Sequence, residues 1–343
     1  MEFTLLDVFK SSLFTSTSLA AKVDRIPYVP QVLAQLGIFE EDGVSTTSMY
    51  IERRHHQLAL VPAKPRGAPG TPITGPKRDG IQLEIPHLPL TAHITPDELQ
   101  NVRGFGTPGM LVGVQEKRDE KLEAMSRNHD LTLEYHRLGA IGGVILDANG
   151  DVLIDLYDKF EIDQPDDIEL ELDDAYDPND PAKAGAIRKQ ITGATRKIRD
   201  ALGGVAPKGF VALCGDDYFD KLTNHPEVNR TYLNQTAAND LREGDPIEKV
   251  KYGNVTHLNY RGWGNVAVPT DECRYIPIGV PGLFLTRFAP GPLFSAVNTK
   301  GKPKYVVPSI DKTGEKEIEL EMQSNPINIC TRPDCLFTGK IAA

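Results

Sequence analysis

Residues 48–90 read SMYIERRHHQLALV (48–61), PAKPRGAPGTPITGPKRDG (62–80) and IQLEIPHLPL (81–90). The first piece is typical of a β-strand, and so is Ile81–Ile85, which continues after Pro86 into His87–Leu90. The middle piece is dominated by proline, glycine and basic residues and indicates a tip between them. An isolated two-stranded hairpin is at best marginally stable in water. We therefore expect the hairpin segment, residues 48–95, to lie on a neighbouring copy of the same chain.

The charge of the chain is distributed unevenly. Residues 46–80 carry a net charge of +4 and residues 147–180 carry −13, in a chain whose total is −10. Solvated loops explain such runs, and complementarity between a basic arm and an acidic acceptor explains them equally well. In the second interpretation the candidate inter-subunit contacts are charged and apolar residues of the hairpin, namely Arg53, Arg54, Leu58, Leu60, Lys64, Arg66, Lys77, Arg78, Leu83 and Ile85.

The composition is that of an ordinary globular protein. The 343 residues are 40% hydrophobic and 25% charged, and no run of 18 apolar residues predicts a membrane-spanning helix. Asp7 and Lys10 stand where a signal peptide needs its apolar core, so secretion is not expected. The cysteines at 214, 273, 330 and 335 are then interpreted as reduced structural thiols of a cytoplasmic protein.

The longest predicted helix runs from Met110 to about Leu138. A helix of about 29 residues is roughly 43 Å long, and its apolar stripe is thin. We expect it to lie along a sheet or to span a surface, with His129 and His136 on its polar face. Other predicted elements are a helix starting at Thr95 and Pro96, a hairpin around 144–154, a helix over 182–202, a strand at 210–214, a short helix at 217–223, and closing strands at 304–307, 315–322 and 327–337.

No motif of the sequence predicts catalysis. Gly104–Gly109 matches a dinucleotide fingerprint by letter, but a capped helix precedes it instead of a strand. Asp147–Asp151 resembles the start of a calcium loop without its twelfth-position glutamate, and a β-turn is favoured. Adjacent His55 and His56 point to opposite faces of a strand, so they cannot form one site. We expect no catalytic residue, no cofactor and no metal, and a sequence pI of about 5.4 argues against nucleic-acid recognition.

In its order of elements the chain resembles the lambda-like capsid protein E family of tailed-phage major capsid proteins. The resemblance is carried by Phe14–Pro27 as an N-terminal arm, the hairpin 48–95 as an extended loop, Ile94–Asn101 with Gln115–Leu122 as the spine helix, residues 181–298 as an axial domain, and Met322–Pro326 as the ending of the peripheral domain. The resemblance implies an α+β, HK-ninety-seven-type fold. Its divisions here would be an arm (1–47), an extended loop (48–95), a peripheral domain with the spine helix (96–180 and 301–343) and an axial domain (181–300).

The same resemblance implies a structural protein. Its copies would form hexamers and pentamers of an icosahedral virion shell around double-stranded DNA, bound without sequence specificity and assembled in the host bacterial cytoplasm. Scaffold, portal and decoration proteins would be its partners, with no membrane involved. Lys64 and Lys77 would be candidates for a covalent cross-link, although none is expected. An encapsulin-like or prophage-derived compartment shell is the related alternative, and a soluble α/β enzyme is the alternative of a different class.

Overall fold

A computed structural model describes residues 15–23, 32–54, 78–99, 110–173, 185–233, 249–310 except 263 and 265, and 317–342. The chain divides into two compact units. The first unit contains the described parts of 1–49, 83–136 and 286–328, and the second contains those of 50–82, 137–285 and 329–343. No helix among the described residues is long and apolar enough to cross a membrane.

The described helices include the four that the sequence predicts, near 96 and over 110–138, 182–202 and 217–223. In chain order, the described helices are α1 (Ser16–Val23), α2 (Val32–Leu36), α3 (Pro96–Leu99), α4 (Met110–Gly142), α5 (Leu156–Phe160), α6 (Ala186–Ala201), α7 (Asp216–Asn224) and α8 (Pro226–Leu233). Short 3-10 turns occur at Phe294–Ala296 and Pro333–Cys335. The predicted first residues of α6, 182–184, and the segment Gly104–Gly109 lie outside the described residues.

The described strands are short, and most belong to one six-stranded sheet or to two three-stranded sheets. The strands are β1 (Glu40–Gly43), β2 (Ser48–Arg54), β3 (Arg78–Glu84), β4 (Leu88–Ile94), β5 (Val144–Leu146), β6 (Val152–Asp155), β7 (Ile168–Leu170), β8 (Gly209–Cys214), β9 (Lys249–Tyr252), β10 (Val255–Asn259), β11 (Glu272–Ile278), β12 (Phe284–Phe288), β13 (Tyr305–Ile310), β14 (Ile318–Ser324), β15 (Pro326–Cys330) and β16 (Phe337–Ile341). The two three-stranded sheets have the orders β1-β12-β15 and β13-β14-β4.

In the first unit, the core forms between helix α4 and the sheet β13-β14-β4. Leu122 and Met125 of α4 are buried together with Leu320 and Met322 of β14. Burying such a side chain fully contributes about 1.5–3 kcal/mol. The expectation that the long helix lies along a sheet is therefore confirmed.

The same helix face is more polar than the sequence indicates, and the assignment of His129 and His136 to an exposed face is wrong. Only 7% and 2% of these two residues are exposed. Polar contacts compensate for the thin apolar stripe: Nε2 of His129 donates to the carbonyl oxygen of Met322 at 3.3 Å. Nζ of Lys304 lies 2.7 Å from the Asp130 carboxylate and 2.6 Å from Oγ of Ser126.

The second unit contains a mixed sheet with the order β7-β16-β11-β8-β10-β9. Strands β8 and β10 are parallel, as are β7 and β16, while the other neighbours are antiparallel. Helix α6 buries apolar residues at helical spacing, namely Ile187, Ile191, Ala194 and Ile198. Its first turn is capped from a distant helix, since the Glu227 carboxylate accepts bonds from the backbone N–H groups of Ile187 and Arg188.

Two predicted strands differ from the structure. Leu88–Leu90 do not continue the hairpin: they open β4, which pairs antiparallel with β14 in the first unit. The predicted closing strand 327–337 is split into β15 and β16 by the 3-10 turn at Pro333, which has no backbone N–H to donate to a ladder. The turn at Asp147 is confirmed, because its carboxylate accepts from the backbone N–H groups of Asn149 and Asp151.

Acid should destabilise the first unit through His129. Burial lowers the pKa of His129 from 6.5 to about 4. The unfolded chain therefore binds a proton between these values and the folded chain does not, so stability falls as the pH drops from 6.5 to 4. The loss attributable to His129 between pH 7 and pH 4.5 is roughly 2–3 kcal/mol. We expect the H129Q variant to lose that much less stability over this interval than the unsubstituted chain, as measured by urea unfolding at both pH values.

The matched control is H93Q, which removes a histidine that is about half exposed at its side chain on β4. The urea concentration at half-unfolding is compared for the two variants between pH 7 and pH 4.5. If it drops as much for H129Q as for H93Q, the buried imidazole is not the acid-sensitive group.

Candidate functional site

The base of the hairpin is ordered within one chain. Strands β2 and β3 pair as a two-stranded sheet, and the backbone N–H of Ile85 donates to the Thr47 carbonyl at 3.1 Å. Tyr50 is 65% exposed, and its ring lies against Gly80, where any Cβ atom would meet the phenol oxygen at 1.5 Å. A glycine is therefore required at residue 80 for this tyrosine position.

The candidate contact residues fall into three groups. Leu58, Leu60, Lys64, Arg66 and Lys77 lie outside the described residues. Arg53, Arg54 and Arg78 lie on the described backbone of β2 and β3. Leu83 is only 2% exposed and Ile85 is partly buried, so little of Leu83 is left for a neighbour to cover. The assignment of all ten to an inter-subunit contact stays a prediction.

Beside the hairpin base, the first unit contains a groove of about 610 Å³. It is lined by Ser45, Thr47, Ile85 and His87 on the hairpin side, by Asn325, and by the loop from Ala289 to Asn298. Most of the lining is apolar, since the loop supplies two prolines, Leu293 and Phe294. Ligand pockets of proteins have volumes in this range and are lined mainly by apolar side chains.

Asn325 holds the groove together. It is 4% exposed, and its Oδ1 lies 2.7 Å from Nδ1 of His87, just after the hairpin. Its side-chain Nδ2 donates to the Pro290 carbonyl oxygen at 3.3 Å. Its backbone carbonyl oxygen accepts from the backbone N–H of Ala289 at 2.9 Å. One buried amide therefore fixes both the exit of the hairpin and the start of the loop.

The rim of the groove exposes large apolar side chains. Phe294 is fully exposed and Val297 is 60% exposed, although both belong to an ordered loop with a 3-10 turn. Contiguous exposed apolar surface marks interaction sites, and both side chains line the same apolar groove. Sequence reasoning missed this surface, although an aromatic residue in the proline-rich run Pro290–Phe294 is a signal that could have found it.

The acidic segment is partly neutralised inside the second unit. Asp167 pairs with Lys340 at 2.8 Å and Asp173 pairs with Lys221 at 2.5 Å. Asp163, Asp166 and Glu169 are exposed and make no ion pair with the residues that the structure describes. These three carboxylates could face basic groups of another chain. Over the same described ranges, no group of three or more His, Cys, Asp or Glu side chains is placed to hold a metal ion.

Comparisons with known proteins agree on one family. The model of the family described as phage major capsid protein E matches residues 15–341. The chain is 28% identical to the major capsid protein of Pseudomonas phage KPP10, with 96% of this chain and 97% of that protein covered. It is 25% identical to the major capsid protein of Salmonella phage Felix O1 (isolate Felix O1-VT1), with 95% and 96% covered.

A solved structure shares the fold. It is a protein assigned as the capsid protein of a prophage in E. coli CFT073, with a TM-score of 0.56 over 96% of this chain and 99% of that one. The two sequences are 13% identical, so this likeness concerns the fold alone.

We expect Phe294 to contribute to association and not to the stability of the single chain. Since its side chain buries nothing within one chain, F294S should change the free energy of unfolding by less than about 0.5 kcal/mol. If a neighbouring copy covers it, the lost burial of about 2 kcal/mol should weaken each contact roughly 30-fold. Analytical ultracentrifugation and urea unfolding measure the two effects.

The matched variant is F294L, which keeps an apolar side chain and should associate nearly as the unsubstituted chain does. Equal association of F294S and F294L would mean that the groove rim is not an interface.

Proposed function

Since this chain belongs to the phage major capsid protein E family and is a major capsid protein that forms the shell of a tailed-phage capsid, we propose that its copies assemble as hexamers and pentamers of an icosahedral head around double-stranded DNA. One observation supports a specific assembly surface: the apolar groove beside the hairpin base, with Phe294 exposed on its rim. A subunit with such a surface is complete only when another copy covers it.

The α/β enzyme alternative is excluded, because the chain has an HK-ninety-seven-type α+β fold and belongs to a family of structural capsid proteins. The chain is a structural protein and not an enzyme, and its relatives match it over nearly their whole length. Its place is the virion capsid. We propose that assembly takes place in the host bacterial cytoplasm, with scaffold and portal proteins, and decoration proteins where present, as partners.

The proposed division of the chain follows the family. Residues 1–47 would be the arm, 48–95 the extended loop, 96–180 with 301–343 the peripheral domain, and 181–300 the axial domain. The pairing of β4 with β14 supports this division, because it joins the last strand of the proposed extended loop to a strand of the proposed peripheral domain. The proposed loop would thus be anchored on its own subunit.

The basic hairpin is proposed to lie on an acidic surface of an adjacent subunit. Residues 46–80 carry +4, and Asp163, Asp166 and Glu169 are exposed carboxylates without an ion pair among the described residues. Each exposed pair contributes only about 0–1 kcal/mol, so several must act together and weaken with salt. A net acidic chain also suits a container for DNA, since fixed cations would bind the phosphates.

Assembly of the purified full-length chain tests the main proposal. We expect capsomers or closed shells on a sizing column and in negative-stain electron micrographs, because the exposed groove and hairpin need a partner surface. Cryo-electron microscopy of the particles should show five- and six-fold capsomers. A monodisperse monomer under all assembly conditions would contradict the proposal, and closed particles that never enclose DNA in infected cells would favour the compartment-shell alternative.

Reversing charge on the hairpin tests the electrostatic contact. The R66E/K77E double variant should lower the yield of assembled particles at low salt, because it replaces attraction to carboxylates by repulsion. High salt should narrow the difference, as measured by sedimentation of particles. The control R196E/K197E makes the same charge change on the exposed face of α6. Equal yields of the two double variants at low salt would rule out a specific contact of the hairpin.

A further inference from the structure

The four cysteines form two pairs of buried thiols in the second unit. Cys214, Cys273, Cys330 and Cys335 are all free and have no exposed surface. The Cys214 and Cys273 thiols lie close enough to affect each other's pKa, and so do those of Cys330 and Cys335. Neither pair belongs to the groove or to the hairpin segment.

The register of the central sheet brings the first pair together. Cys214 of β8 stands directly opposite Cys273 of the antiparallel strand β11. The next pair along the ladder is joined by a backbone hydrogen bond, since the N–H of Gly215 donates to the Glu272 carbonyl at 2.9 Å. Hydrogen-bonded and non-hydrogen-bonded pairs alternate in antiparallel sheets. Cys214 and Cys273 therefore occupy a non-hydrogen-bonded pair.

That position matches the geometry of a disulfide. In a non-hydrogen-bonded pair the Cα atoms are about 4.5 Å apart and the side chains approach each other closely. A disulfide needs a Cα separation of roughly 4.4–6.8 Å. The two strands already hold their backbones at the spacing that an S–S bond requires, so oxidation demands rotation of the side chains and little movement of the sheet.

Polar groups surround the Cys273 thiol. Burial by itself would raise the pKa of Cys273, but side-chain hydrogen bonds from Cys214, Tyr218 and Tyr275 bring that pKa below its usual value. The Tyr218 and Tyr275 hydroxyls lie 3.2 Å from each other. The thiolate is the form of cysteine that reacts, and here it would form beside the sulfur with which it can bond.

We propose that Cys214 and Cys273 form an intrasubunit disulfide when the particle passes from the reducing host interior to an oxygenated medium. Two S–H bonds break and one S–S bond forms, while dioxygen accepts the two electrons and two protons and becomes hydrogen peroxide. The cytosol keeps such thiols reduced. Since both sulfurs are buried, the entry of dioxygen into the core limits the rate, and the reaction is slow.

The second thiol pair gives an internal comparison. Cys330 and Cys335 are separated by a single 3-10 turn, so a bond between them would close a loop of about six residues. A bond between Cys214 and Cys273 closes about 60 residues, and longer loops remove more conformational freedom from the unfolded chain. The stabilising link is therefore the one between β8 and β11.

Thiol counting by mass spectrometry tests the inference on the full chain. Purified protein is kept in air-saturated buffer at pH 8, or under argon with a reductant, and is then unfolded and labelled with N-ethylmaleimide after the reductant is removed. We expect four labels on the reduced chain, two fewer after exposure to air, and a linked peptide that joins Cys214 to Cys273. The midpoint of thermal unfolding should rise by about 5 °C or more.

Variants separate the two pairs. C330A should keep the rise in unfolding temperature, whereas C273A should abolish it, and the labelling of the unsubstituted chain gives the answer even if a variant folds poorly. Four labels after prolonged exposure to air would overturn the proposal, and so would a link confined to Cys330 and Cys335. The measurement is made on single chains as readily as on shells, so its failure is distinguishable from a failure of assembly.

Discussion

The first unit depends on how helix α4 is held against its sheet. The helix has 33 residues, and its apolar contacts with β14 are too few to bury its face by themselves. Polar side chains supply further contacts between the helix and its neighbours, and these contacts are called the seam below. Lys304 binds Asp130 and Ser126, His129 donates to the Met322 carbonyl, and Glu134 accepts the backbone N–H of Leu33 in α2. Each bond of this kind contributes only about 0.5–1.5 kcal/mol net, but leaving a buried partner unpaired costs more, so the seam fixes one position of the helix on the sheet.

Asn325 connects this part of the first unit to the groove that is proposed to meet other copies. It follows β14 and holds both the exit of the hairpin and the loop that carries Phe294. The exposed apolar rim is thus part of an ordered loop, which lowers the conformational entropy lost when a neighbour covers it. A subunit that presents a pre-formed groove can associate with modest contact energy and still do so in a defined geometry.

The local elements could be predicted from the sequence, while the contacts between distant residues could not. The spacing of Ile187, Ile191 and Ile198 predicts the buried face of α6, and the predicted helix from Met110 to about Leu138 covers most of α4. The burial of His129 depends on a carbonyl 193 residues away, and the cap of α6 comes from Glu227, 40 residues beyond the helix start. Periodicity carries no information on such partners. The sequence indicates that the hairpin needs a partner surface, because an isolated hairpin is at best marginally stable. The groove could not be predicted, because it forms only where segments near 45, 87, 290 and 325 meet.

A shell of many copies requires contacts that are individually weak and collectively sufficient. One buried phenylalanine contributes about 1.5–3 kcal/mol and one exposed ion pair about 0–1 kcal/mol, so a misplaced copy can dissociate before its neighbours lock it. Stability inside the subunit is subject to no such limit. The stability of the folded subunit can be raised without slowing the dissociation of misplaced copies, provided that the surface of the subunit keeps its shape. The paired thiols of β8 and β11 meet this condition, because they lie within a sheet whose backbone spacing already suits the bond and have no exposed surface. Chemistry at that position would strengthen the subunit after assembly and leave the surfaces between copies unchanged.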